Sequence, residues 1–156
     1  IAPIENRLVQ QMMTGTRPVV GTRKMIQNMA PVLQPGTFVF CAMIDNDAAQ
    51  EAKRLARCVF VEDEGLSLVL PLAEADRLGL AYDEPMKQIT LMVYSSLSGV
   101  GLTAAVAKAL MREGVPANVV AATQHEHVFV PSKMADDAMN ALRNLQNKAM
   151  IARKAK

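Results

Sequence analysis

The chain has 156 residues, of which 51% are hydrophobic and 21% charged, and its formal net charge is +2. That length supports one substantial core, or two small halves that share one. Trp is absent, aromatics total 4% and the basic residues are dispersed, so the chain offers neither the electrostatic footprint of a nucleic-acid binder nor a stacking platform for single-stranded bases.

Residues 1–21 carry Pro3, Gly15, Pro18 and Gly21 and read as an arm, either frayed or packed on a neighbour. Leu8, Val9, Met12 and Met13 suit at most a short amphipathic helix there. Residues 22–33 predict a helix with Met25, Ile26, Met29 and Val32 on one side. Pro35-Gly36 makes a turn. Residues 37–43 predict a strand, and residues 48–57 a short helix with Ala52, Leu55 and Ala56 at helical spacing. Residues 58–61 and 66–70 pair as strands around Glu62-Asp63-Glu64-Gly65. Pro71 opens a short helix over 72–78, which Gly79 closes.

From residue 87 the pattern sharpens. Ile89, Leu91 and Val93 alternate with Thr90, Met92 and Tyr94, the period of a strand with one buried face. A turn bearing Gly99 and Gly101 follows. Leu102, Ala105, Val106, Ala109 and Leu110 then repeat at helical spacing up to Gly114. Residues 118–122 and 128–130 are two more strands. Ser132 opens a last helix with Met134, Ala138, Ala141, Leu142 and Leu145 on one face. The basic tail, with Lys148, Arg153, Lys154 and Lys156, reads as solvated.

Each half thus runs strand, helix, strand, strand, helix, which is most of a ferredoxin-like βαββαβ unit. The expected fold class is α+β, with antiparallel sheets covered by helices on one face. The expected division is an arm (1–21), a first segment (22–86), a second (87–146) and a tail (147–156). Each half lacks an obvious last strand, so residues 87–94 could serve both halves, or a strand could be exchanged with another chain.

The loop after residue 94 carries the chemistry. Two glycines allow a sharp turn with uncovered N–H groups, and the following helix aims its positive end at the same spot. Such a site suits a carboxylate, although glycines in a strand-turn-helix more commonly serve only a tight connection. Ser95, Ser96 and Ser98 are a polar loop in which Ser98 could simply cap the helix. Asn118 enters an apolar strand; its amide would need a partner, either backbone or ligand. His125 and His127 point the same way, with structural or ligand hydrogen bonding favoured over a metal, since only Glu126 is a local carboxylate. No Ser, Cys or carboxylate has a motif tying it to a His base. No cofactor fingerprint or metal site is expected. Cys41 and Cys58 lack zinc spacing and read as free buried thiols in a reducing compartment. No run approaches the ~20 apolar residues of a membrane span, and residues 1–21 hold no apolar signal core, so a cytoplasmic location is expected.

Four stretches together carry a resemblance: Glu64–Pro71 (EGLSLVLP), Ser95–Ala104 (SSLSGVGLTA), Glu113–Ala121 (EGVPANVVA) and His125–Pro131 (HEHVFVP). In order and spacing they resemble small bacterial ACT-domain proteins built from two ACT-like segments, over residues 25–145. The resemblance implies a regulatory module that binds an amino acid or other small metabolite, commonly at a dimer interface; with no activated nucleophile or coupled acid–base pair signalled, the chain is not expected to be an enzyme. Gly101 matches the glycine of the ligand loop, while Val100 stands at the Pro position and Ser96 and Ser98 stand where charged or amide residues are usual. Pro116 occupies the usual Asn position, with Asn118 two residues later. The residues expected to bind ligand are therefore Ser96, Ser98, Gly99, Val100, Gly101 and Asn118, with Gln124 and His125 from across the sheet. The partners expected are an amino acid and a second copy of the chain. The alternatives are an interaction or dimerisation module without a ligand and, further off, a small enzyme on the same fold.

Overall fold

The computed structural model describes residues 18–95 and 98–151. The elements run α1 (Thr22–Gln27), β1 (Pro31–Leu33), β2 (Phe38–Met43), α2 (Ala49–Leu55), β3 (Cys58–Glu62), β4 (Gly65–Pro71), α3 (Leu72–Arg77), β5 (Met86–Leu91), α4 (Leu102–Arg112), β6 (Asn118–Ala121), β7 (Glu126–Pro131), a 3-10 turn (Ser132–Met134) and α5 (Ala135–Ile151). All paired strands are antiparallel, in the order β3-β4-β2-β5-β7-β6, with β1 also on β5. The α+β class, the repeated half and the helix-on-one-face layering are as the sequence implies.

Strand β5 does serve both halves, lying between β2 and β7, but the second half gains a further strand that neither expectation names. The helix expected over 22–33 stops at Gln27, because Pro31 disfavours helical backbone in the residue before it. Ala30 turns out with φ 34°, and Pro31–Leu33 lies along Leu91–Ile89 of β5 as the fourth strand of the second half. In the first half that place is taken by the start of β5, where Met86 pairs with Phe38, and by Tyr82 ahead of it, which bridges Cys41. Strand β5 ends at Leu91, shorter than the alternation suggested.

Two cores lie under the helices. Ile89, Leu91, Val128 and Val130 pack against Met25 and Met29, Leu102, Val106 and Leu110, and Ala138 and Leu142. Val39, Cys41, Leu66, Leu68 and Leu70 pack on Ala49, Ala52 and Ala75. The i, i+4, i+8 spacing of Leu102, Val106 and Leu110 puts all three on the sheet side of α4. Each such side chain contributes about 1.5–3 kcal/mol on burial.

The opposite face carries no helix, yet it is not polar. Phe38, Val69 and Phe129 are buried there, joined by Cys58, Met86 and Val120. Phe129 meets Phe38 and Phe40 edge-on, at ring centroid distances of 6.1 and 5.5 Å. The Arg57 guanidinium lies 5.2 Å from the Phe38 centroid. This aromatic cluster ties the two halves together. Gln88 and Thr90 are buried as well, so β5 is covered on both faces rather than one.

Candidate functional site

The β5–α4 connection is built from its backbone. Gly101 sits at φ 101°, ψ −14° as the N-cap of α4, so a glycine rather than Ser98 holds the N-cap position. The reason for glycine is specific. A Cβ there would come within 2.7 Å of Thr22 Cγ2 and Oγ1. The Thr22 hydroxyl donates to Val100 O at 2.5 Å, and the Val19 amide donates to Tyr94 O at 2.7 Å. The chain's own Val19–Thr22 segment thus lies against the loop. Val100 is largely exposed. Ser96 and the arm before residue 18, like the tail beyond residue 151, lie outside the described residues.

Glu126 adds a buried carboxylate to this end of the second half. The period of two puts it on the core side with Val128 and Val130, and it is 7% exposed. Both carboxylate oxygens lie 3.3 Å from the Thr103 hydroxyl, in the first turn of α4. No cation pairs with it among the described residues. Burial pushes its pKa up, against the lowering effect of the Thr103 hydrogen bond. His125 stands beside it, its Nδ1 3.5 Å from Val93 O. Gln124 is exposed in the β6–β7 turn. Loop, helix start, Glu126, His125 and the turn therefore share one end of the second half.

Asn118 does not join them. It pairs with Phe129, which pairs with Gln88, three residues back along β5 from Leu91, and it is exposed. It lines a cleft of about 400 Å3 with Phe40, Asp83, Glu84 and Met86.

On the helix-free face His127 Nδ1 lies 3.1 Å from both Gln88 Nε2 and Thr90 Oγ1. Burial, then the charges of His125 and Arg57, lower its pKa. The neutral ring with Nδ1 accepting follows. Gln88 Oε1 is buried without a partner; such an atom costs about 1–3 kcal/mol. Among the described residues no three metal-ligating side chains converge, and no helix is long and apolar enough to cross a membrane.

A tandem of ferredoxin-like halves with a glycine loop at the start of α4 defines an ACT-type protein, and the family comparison agrees. Two family models, each described as an ACT domain, match residues 22–87 and 85–144. The chain belongs to the ACT-domain family, whose members commonly bind amino acids in regulatory roles. Among solved structures it is similar to a Vibrio cholerae protein of unknown function described as a possible transport protein, at 37% identity and TM-score 0.70, covering 80% of this chain and 94% of that one. An Agrobacterium tumefaciens protein shares the fold at 16% identity and TM-score 0.61, over 74% and 87% of the chains. So does the regulatory subunit of aspartate kinase from Thermus flavus, at 10% identity and TM-score 0.52, over 74% and 95%. No curated protein matches the chain.

Proposed function

We propose that this chain is a non-catalytic regulatory module that binds an amino acid at the β5–α4 connection. The observation that carries the reading is the pairing, at one end of the second half, of opposite chemistries. The loop of Ser98, Gly99, Val100 and Gly101 and the positive end of an 11-residue helix suit a carboxylate. The buried Glu126 beside them, with no cation of its own, suits an ammonium. Gln124 and His125 remain part of this proposed wall, and Asn118 is assigned elsewhere. Catalysis is not proposed: the Cys41 thiol is buried and its pKa is pushed up, which disfavours the thiolate. Two free thiols suit a reducing compartment such as the cytoplasm.

The test is a thermal-shift series with the twenty amino acids on the full chain and on Glu126→Gln. A ligand at a hundredfold excess over Kd stabilises by about 2.7 kcal/mol. One or a few amino acids should raise Tm, and Glu126→Gln should remove most of the shift. If no amino acid shifts the wild type, or the variant responds unchanged, this site is wrong.

A second reading has its own observation. Strand β3 ends the sheet and leaves Val59 37%, Phe60 55% and Val61 78% exposed. An apolar edge of that kind invites strand pairing, so we propose that two copies join along β3. The first half's sheet is complete within the chain, so the edge itself, rather than a missing strand, now supports the dimer.

A further inference from the structure

The cleft on the helix-free face where the two halves meet is separate from the loop of α4. Its wall combines a residue of the first half, Phe40, one of the second, Asn118, and the connecting stretch Asp83, Glu84 and Met86, around a volume of about 400 Å3. A neighbouring cleft of about 370 Å3 shares Phe40 and Asp83 and runs on past Tyr82 to Ser67. Phe40 is 38% exposed, and its ring is braced edge-on against Phe129 with an interplanar angle of 88°. A large ring held rigid and left open to solvent on an otherwise closed aromatic cluster is a contact surface looking for a partner.

We propose that this cleft binds a small organic cation carrying a primary ammonium group. Asp83 forms no ion pair among the described residues, and Glu84 is held only by the exposed Lys133, at 3.0 Å. Two carboxylates at the rim exclude an anion. No His or Cys lines this cleft, and no group of three metal-ligating side chains forms among the described residues, so a metal ion would find too few ligands. A purely apolar ligand would leave the carboxylates and the Asn118 amide, which has no side-chain partner among the described residues, facing it unpaired. An ammonium satisfies all of them: it donates to Asp83, Glu84 and the Asn118 carbonyl and lies on the negative face of Phe40. Its carbon stem meets the polarisable thioether of Met86. Gln88 stands in the same cross-strand row, two strands from Asn118 through Phe129, and it too keeps an unpartnered amide oxygen on this face. Because the wall is drawn from both halves, occupancy favours one setting of the halves relative to each other.

The experiment is a titration of the full, 15N-labelled chain with n-butylammonium, and in parallel with n-butanol and butyrate. The ammonium alone should give saturable shifts at the Asn118 side-chain amide and at the backbone amides of Asp83, Glu84 and Met86. Asp83→Asn and Phe40→Leu should each weaken binding about three- to tenfold. Lys133→Ala should tighten it, because it frees Glu84. Glu126→Gln should leave it unchanged, so loss of amino-acid binding at the α4 loop and loss of this site are told apart. Equal shifts with n-butanol, shifts confined to other residues, or an unaltered affinity in Asp83→Asn would overturn the proposal.

Discussion

Glu126 and His127 are adjacent in the chain and face opposite sides of β7, and burial acts on them in opposite directions. The folded state raises the pKa of the Glu126 carboxyl, so its stability is complete below the ordinary carboxylate value of 4.5 and is lost as pH rises above it. The folded state lowers the pKa of His127, so its stability is complete above the ordinary value of 6.5 and is lost as pH falls. Glu126→Gln should therefore raise Tm at about pH 7.5 and match the wild type near pH 4. His127→Gln should flatten the slope on the acid side of neutrality. A Tm series across pH on both variants reads the two effects separately, and a Glu126→Gln protein no more stable than wild type at neutral pH would contradict the first. Gly101 gives the second residue-scale expectation. A side chain there meets Thr22 and a positive φ at once, so Gly101→Ala should cost about 1–3 kcal/mol in urea unfolding. Thr22→Ala in the same chain should recover only the contact, leaving the backbone strain.

At the scale of elements, much of the chain was legible because its patterns are local. The spacing of Leu102, Val106 and Leu110 found α4, and Pro71 found the start of α3. The alternation of Ile89 and Leu91 found β5. What could not be seen was tertiary. Pro31-Val32-Leu33 carries no period long enough to separate a strand from the end of a helix; only the open edge of β5 decides it. Asn118 joins the loop only through the resemblance, standing two residues after the family's usual Asn position, whereas the strand register places it level with Gln88. Glu126 was hidden between two histidines that drew attention to the other face, although its parity with Val128 marks it as a carboxylate on the core side. The role of β1 makes a direct prediction. A chain starting at Thr37 lacks the fully buried Met25 and Met29 and the edge partner of β5. Its second half should lose cooperative unfolding by near-UV dichroism, and its solubility should fall.

For the whole molecule, the open question is how the sheet ends are protected. The first half stops at β3 with three apolar side chains exposed, and pairing two copies there would bury them and satisfy the edge backbone. Light scattering at micromolar concentration should give a dimer mass. Val61→Lys, which places a charge at the most exposed of the three, should give monomer with little loss of Tm. A wild-type monomer would remove the β3 edge from consideration. A dimer that survives Val61→Lys would move the interface elsewhere.

The strand that completes the second half precedes the first half in the chain. The first ACT unit is therefore an insertion inside the second, and the second is contiguous in space but not along the polypeptide. During synthesis Pro31–Leu33 emerges long before β5 exists to receive it, and must wait through the making of an entire domain. Cutting the connection near Pro85 would not yield two separate domains, since one fragment would carry off a strand of the other. The end of α1 and the last turns of α5 nonetheless lie close. Gln27 Nε2 donates to Ala149 O at 2.8 Å, and Gln146 Nε2 donates back to Gln27 O at 2.9 Å. A circular permutant that carries the α1–β1 segment after α5 on a short linker would restore the second unit to one unbroken stretch. It should fold without the first, whereas the natural order binds the fates of the two together.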